Sequence, residues 1–457
     1  MKHRFGLNEY LFRQKKQETP VFMDTSELIN GHLLLAGMSG TGKSWQLQNL
    51  IETGAKQGVE FDIFDVHNEL DVGGATAALY SNATRYGYNP LVLNMDPHSG
   101  GVRQNISDFI ALINATSSRL GPKQEAALRN LLNDIYFLNG CYDDNPRSWQ
   151  KREITERERS ALIEAHRYDE LRQYYPTLDD LISYAERKIR AMYLGGDTKT
   201  VRLLESVNRA AHALNLAHKK SLKAGQSGSA EEKQKLKAKL EEEKAKAIEA
   251  YTDYVASIET GRELSDVLKY SSQEVLQTTL ERIQILNASG TMRSNPPPFG
   301  NARVRCHQIK SLSEDEQKLF VYRRMAEIFR RRKDEGVKPD VCHVILLDEA
   351  HKFFVEDGDN IINVVAKEAR KFGVGLWCAS QSPTHFPEDF LSNCGTTILL
   401  GIHTMFWDMA CRKLRIEPDV LKWIRPQQVA AIKLQRKGDM APRFMNVIVN
   451  ANAYQAA

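Results

Sequence analysis

An apolar run, His32-Leu33-Leu34-Leu35-Ala36, passes directly into Gly37-Met38-Ser39-Gly40-Thr41-Gly42-Lys43-Ser44, and then into a segment with apolar residues at Leu47, Leu50 and Ile51. Strand, glycine-rich turn and amphipathic helix follow one another with nothing between. The spacing G-x-x-x-x-G-K-S constrains the fold more than any other feature of the chain. Its glycines allow a turn tight enough for successive backbone N–H groups and a helix N-terminus to converge on one phosphate. A loop of this kind belongs at the end of a strand in an α/β sheet, so the rest of the chain must supply that sheet.

The remaining pattern does so in two instalments. A second strand is expected at 60–66, after which the pattern turns helical over roughly 107–287. The α/β rhythm then resumes: strand 304–309, helix 314–332, strand 343–347, helix 360–371, strands 374–379 and 396–401, and late strands 429–434 and 444–449. The expected organisation is an N-terminal segment 1–30, a first half of the core 31–110, an all-α insertion 111–293 and a second half 300–457. Ser294-Asn295-Pro296-Pro297-Pro298-Phe299-Gly300 makes a stiff linker between the last two. Within the insertion, helices 201–223 and 231–258 flank Gly225-Gln226-Ser227-Gly228-Ser229, which reads as an antiparallel helical arm with a flexible tip. Residues 187–246 hold 15 Lys/Arg against 7 Asp/Glu, a local charge of +8 inside a chain of net charge +4. That arm is either a DNA-facing or partner-binding element or a solvated hairpin.

With 457 residues, 42% apolar and 26% charged, the chain is neither disordered, collagen-like nor disulfide-stapled. No apolar run approaches the ~18 residues a spanning helix needs, so direct membrane insertion is not expected. The basic N-terminus runs on into Glu9, Arg13, Lys15 and Lys16 without an apolar core, which argues against a signal peptide and for a cytoplasmic protein. The six cysteines show no C-x-x-C pair and read as reduced thiols.

The chemistry follows from the loop. Gly37, Gly40, Thr41 and Gly42 would cradle phosphates, with Trp45 next to them; Lys43 would pair with the β- and γ-phosphates of ATP, and the Ser44 hydroxyl would ligate Mg²⁺. Hydrolysis needs carboxylates at the end of a neighbouring parallel strand. His343-Val344-Ile345-Leu346-Leu347-Asp348-Glu349 ends in two, with Asp348 suited to the Mg²⁺ shell and Glu349 to polarising the attacking water as general base. Asp348-Glu349-Ala350-His351 also spells the box of one helicase class, but 305 residues separate Lys43 from Asp348 and no matching Ser-Ala-Thr box follows.

Further segments carry a family resemblance. Asp65-Val66-His67-Asn68-Glu69 resembles the D-x-H-G-E segment of HerA-type ATPases, with Asn68 where glycine is usual. Arg370-Lys371-Phe372-Gly373 followed by Ser380-Gln381-Ser382-Pro383, Asn89-Pro90-Leu91, and the helix start Leu120-Gly121-Pro122-Lys123-Gln124 are similar to other segments of that group. The chain thus resembles the HerA/FtsK branch of P-loop ATPases over about 30–140 and 300–450. The resemblance implies a RecA-like fold with a mostly parallel sheet, and a homo-oligomeric ring, usually of six, with double-stranded DNA through its centre. It implies that Gln381 senses the γ-phosphate and that Arg370 reaches the adjacent subunit's site, where a surface charge is the plainer reading of Arg370. His98-Ser99-Gly100-Gly101-Val102-Arg103 is a candidate DNA loop. Only 36 residues precede Gly37, too few for the N-terminal β-barrel of archaeal relatives, so a nuclease or other effector protein would need another docking place. The expected function is an ATP-dependent double-stranded DNA translocase. An ATP-driven scaffold recruiting an effector in prokaryotic defence, and a conjugation or packaging motor, are the alternatives.

Overall fold

A computed structural model describes residues 1–116, 119–194, 198–227, 230–256, 269–270, 272–354, 361–450 and 452. The chain separates into two compact units, Met1–Tyr88 with Ser289–Ala457, and Asn89–Ala288.

The first unit is built on an eleven-stranded sheet. In chain order its strands are β1 (Lys2–Asn8), β2 (Pro20–Asp24), β3 (Leu33–Gly37), β4 (Glu60–Asp65), β5 (Thr76–Leu79), β6 (Val304–Gln308), β7 (His343–Leu347), β8 (Val374–Ser380), β9 (Thr396–Gly401), β10 (Val429–Leu434) and β11 (Phe444–Ile448). Their spatial order is β2-β1-β11-β10-β9-β3-β8-β7-β4-β6-β5. From β9 to β5 every pairing is parallel. From β2 to β9 every pairing is antiparallel.

The apolar runs explain the central position of β3, β7 and β8. Each is buried along its whole length, as parallel strands covered on both faces must be. Successive side chains alternate between two apolar layers. Leu34, Ala36, Ile345, Leu347, Leu376 and Cys378 join one layer, with Phe320, Met325 and Ile328 of the helix Glu314–Asp334. Leu33, Leu35, Val344, Leu346 and Trp377 join the other, with Leu47, Leu50 and Ile51 of the helix Lys43–Lys56.

One polar cluster lies within this apolar sheet. Asp62 on β4 is fully buried and accepts from four donors: Arg305 Nε and Nη2 at 3.1 and 2.8 Å, His307 Nε2 at 2.8 Å and His343 Nε2 at 2.9 Å. Arg332 donates to His343 Nδ1, and its Nη2 to Glu60 Oε1 at 2.7 Å; Arg305 Nη2 meets Glu60 Oε2 at 2.8 Å. Because His343 Nδ1 accepts, its single proton sits on Nε2 and points at Asp62. Burial works against the charge of Asp62, but these donors and the neighbouring positive charge hold it well below the usual carboxylate range.

The segment set apart at 1–30 contributes β1, a short helix Glu9–Lys15 and β2, and β1 joins the sheet beside β11. Phe5 and Met23 fill the core there, at 4% and 2% exposure. No local signal announces this pairing, because the partner strand lies at the other end of the chain.

The second unit is helical. It includes Gly101–Thr116, Pro122–Leu138, Leu178–Leu194, Gln273–Ala288 and the long pair Thr198–Ser227 and Ala230–Ala256, which pack along each other. At ~1.5 Å per residue the pair forms an arm of ~40 Å. Residues 225–227 continue the first arm helix rather than opening a loop, and 228–229 and 257–258 lie outside the described residues. Ile248, Tyr251 and Val255, at helical spacing on the second arm helix, are exposed at 58, 60 and 47%. The segment 98–103 is not a flexible loop. Asp96 Oδ1 accepts from the His98 and Ser99 N–H groups, both at 2.8 Å, and Gly101, at a φ of +86°, begins a helix with Trp149 against it. Those glycines serve a tight turn. At the helix start, Gln124 Oε1 accepts from the Gly121 N–H at 3.0 Å with Pro122 in the first turn.

All six cysteines are unpaired, four of them buried. Among the described residues no helix is long and apolar enough to cross a membrane.

Candidate active site

The site assembles at the C-terminal ends of β3, β8, β7 and β4, which are neighbours in that order. β3 delivers Gly37, and the helix Lys43–Lys56 starts where the loop ends. Gly40 and Gly42 take φ values of +77° and +98°, which an L side chain rarely adopts. A Cβ on Gly37 would collide with the Thr41 hydroxyl and Leu400. Thr41 Oγ1 donates to Met38 O at 2.7 Å and closes the loop from inside. Lys43 Nζ folds back over it and donates to Gly37 O at 2.7 Å. A phosphate oxygen would outcompete that uncharged carbonyl for the ammonium. Ser44 and Trp45 are exposed beside the loop, Trp45 at 47%.

Asp348 and Glu349 leave the end of β7, with the Asp348 N–H donating to Phe64 O on β4 at 3.1 Å. Burial first, then the negative charges of Asp65 and Glu349, push the Asp348 carboxyl up to about 7, while Lys43 pulls it down. Asp348 therefore stands within the electrostatic reach of the phosphate-loop lysine although the two are far apart in sequence. Glu349 has a left-handed backbone, φ +46°, which is strained for glutamate. It is 5% exposed, and its Oε2 has no hydrogen-bond partner. Gln381, following β8, donates Nε2 to Glu349 Oε1 at 3.4 Å.

The loop, Lys43, the acid pair and Gln381 thus meet, as the motif spacing requires. Arg370 does not join them. It is exposed on the short turn Ala369–Phe372, which enters β8 from its N-terminal end. The length of β8, at ~3.3 Å per residue, places it ~20 Å from Gln381. It cannot serve the site of its own chain.

Asp65 also differs from a nucleotide contact. Its carboxylate accepts from the N–H groups of His67, Asn68 and Leu70 at 3.1, 2.7 and 2.9 Å, so it builds the turn after β4. Asn68 there has a φ of +59°, which explains a position where glycine is usual, since asparagine tolerates the left-handed region better than most residues. His67 is half-buried and Glu69 exposed.

Two residues escaped the sequence pattern. Gln427, in the turn before β10, donates Nε2 to Gly40 O at 2.9 Å, and its N–H meets Thr41 O at 3.2 Å. It braces the loop across 387 residues of chain, a separation no local motif reveals. His351 lies against the acid pair, with Nδ1 3.3 Å from Glu349 Oε2.

The donor set suits nucleotide-bound Mg²⁺. Among the described residues no group of three or more His, Cys, Asp or Glu side chains could hold a metal alone. One hydroxyl and one carboxylate, completed by phosphate oxygens and water, is the coordination Mg²⁺ prefers.

A phosphate loop after β3 and an acid pair after β7, two parallel strands separated by β8 and flanked by helices on both faces of the sheet, define a P-loop ATPase of RecA-like fold. The sequence profile described as "Helicase HerA, central domain" matches residues 11–323, and the chain belongs to that family. It is 41% identical over 63 residues to the DNA double-strand break repair helicase HerA of Pyrococcus furiosus, covering 13% of this chain and 11% of that protein. It is 32% identical over 110 residues to the HerA of Saccharolobus solfataricus, covering 22% of each. The alignable part thus spans about a fifth or less of these relatives. Across its length the fold is similar to VirB4 of Thermoanaerobacter pseudethanolicus, with a TM-score of 0.58, 12% identity, and coverage of 98% of this chain and 96% of that one.

Proposed function

We propose that the chain is an ATP-driven motor that translocates double-stranded DNA, working as a homo-oligomeric ring, a hexamer by family resemblance. The observation that carries this reading is the meeting of Lys43, Asp348, Glu349 and Gln381 at the C-terminal ends of the central parallel strands, in a chain of the HerA family. The curated relatives are DNA double-strand break repair helicases, which supports DNA as the substrate.

The loop N–H groups bind the phosphates and Lys43 leaves Gly37 O for the β- and γ-phosphates. Ser44 and Asp348 would hold Mg²⁺, which would supply neutralisation of the phosphate charge. Glu349 takes the proton of the attacking water, and Gln381, already bonded to Glu349, registers whether the γ-phosphate is present. Arg370, unable to reach its own site, acts on the neighbour's, where a guanidinium can raise the rate by ~10³ to 10⁵. DNA is gripped through its phosphates, giving affinity without sequence preference and a steep loss with salt.

The test is ATP turnover by the wild type and by Glu349→Gln, with and without duplex DNA, together with displacement of a triplex-forming strand. Expected are DNA-stimulated turnover, loss of ~10²-fold or more in the variant, and clearance of the third strand. Hydrolysis without displacement would instead favour an ATP-driven scaffold.

A further inference from the structure

His351 follows the acid pair, on the turn Ala350–Lys352. Its Nδ1 lies 3.1 Å from Ser380 Oγ and 3.3 Å from Glu349 Oε2. Ser380 ends β8 and is fully buried, and Glu349 is nearly so, which withdraws both oxygens from water. Only the contact to Ser380 has hydrogen-bonding geometry. Glu349 Oε2 is left without a hydrogen-bond partner, an unfavourable condition for a buried polar atom. One ring nitrogen thus stands between two oxygens, Ser380 Oγ at the end of β8 and Glu349 Oε2 two residues past the end of β7.

The ring is neutral at physiological pH. Burial lowers its pKa below the ordinary histidine value; Glu349 opposes that shift, while His385 and Lys352 add to it. A neutral imidazole has a single N–H, so it can serve one oxygen at a time. Its ring also packs near His385, at 5.2 Å between centroids, and His385 meets Phe406 at 6.4 Å, beside the exposed Met405. His351 therefore lies at one end of a row of rings that leads to the surface.

We propose that His351 is a positioning residue for Glu349: its Nδ1–H passes from Ser380 Oγ to Glu349 Oε2 when the site closes on nucleotide, and so orients the carboxylate toward the attacking water. With Gln381 on Oε1 and His351 on Oε2, each carboxylate oxygen keeps a second lone pair for the water proton. The inference rests on Glu349 being the general base.

The test is steady-state ATP hydrolysis by the full-length chain carrying His351→Ala, His351→Asn or Ser380→Ala, with Glu349→Gln as reference. His351→Ala is expected to lower kcat about 10- to 100-fold with KM for ATP little changed. His351→Asn, whose amide N–H takes the place of Nδ1–H, recovers most of that loss. Ser380→Ala, which removes the competing oxygen, keeps kcat at or above the wild-type value. The inference is overturned by an unimpaired His351→Ala, by an Asn variant as impaired as the Ala variant, by KM rising in step with the fall in kcat, or by a fall in Ser380→Ala as large as that in His351→Ala. Retained hydrolysis by Glu349→Gln overturns the base assignment and this inference with it. Loss of hydrolysis in Glu349→Gln beside a normal His351→Ala overturns this inference alone.

Discussion

Asp62 and Asp348 stand on neighbouring strands of one sheet, and their surroundings drive them in opposite directions. Asp62, deeper in the sheet, receives two histidines and a bidentate arginine and is held well below the usual carboxylate range. Asp348, at the strand ends, sits among Asp65 and Glu349 and is pushed up to about 7. A buried acid whose acceptors are all filled belongs to the framework. One buried among like charges holds its ionised form only when a cation joins it, and otherwise keeps its proton. The contrast separates what holds this sheet together from what waits for a ligand.

Substitutions at the two sites should therefore have opposite signs. Asp62→Ala strands Arg305 and two histidines and is expected to cost ~3–5 kcal/mol of unfolding free energy in a urea titration at pH 8. Its contribution is present above the unfolded pKa near 4 and is lost as pH falls through the depressed folded value. An unchanged midpoint would remove Asp62 from the framework. Asp348→Asn, measured without Mg²⁺ or nucleotide, should stabilise. Between about pH 4 and 7 the folded wild type retains a proton that the unfolded chain has lost, so its stability falls as pH rises across that window. The advantage of the variant should grow from pH 5 to pH 8 and reach ~2–4 kcal/mol, while Mg²⁺-dependent hydrolysis is abolished. A pH-independent difference would contradict the raised pKa. Smallest is Gln427→Ala, which removes one exposed brace on the phosphate loop. Expected are a loss of ~0.5–1.5 kcal/mol and nucleotide binding weakened by at most ~10-fold, read by isothermal titration.

The same contrast explains what could be read from the sequence. The phosphate loop and the acid pair are local patterns, each fixed by adjacent residues with a known chemical task, and their apolar leads identify β3 and β7. Strand 396–401 and strand 429–434 were legible for the same reason. The cluster around Asp62 was not, because its members come from β4, β6, β7 and the helix Glu314–Asp334. Its trace in the sequence is Glu60 and Asp62 two apart on a strand that is otherwise apolar up to Asp65 at its end, which places both on one face. β1 and Gln427 act through partners hundreds of residues away. Arg370 was legible as a residue type but not as a location, since only the direction of β8 shows it facing away from its own phosphate loop.

The account turns on two distant stretches of one chain gripping a single triphosphate. A crystal structure with a nonhydrolysable ATP analogue and Mg²⁺ tests this most directly. It should show Lys43 moved from Gly37 O onto the phosphates, Asp348 in the Mg²⁺ shell and Glu349 facing the γ-phosphate. A nucleotide bound at the loop with the acid pair turned away, or bound elsewhere, would contradict it.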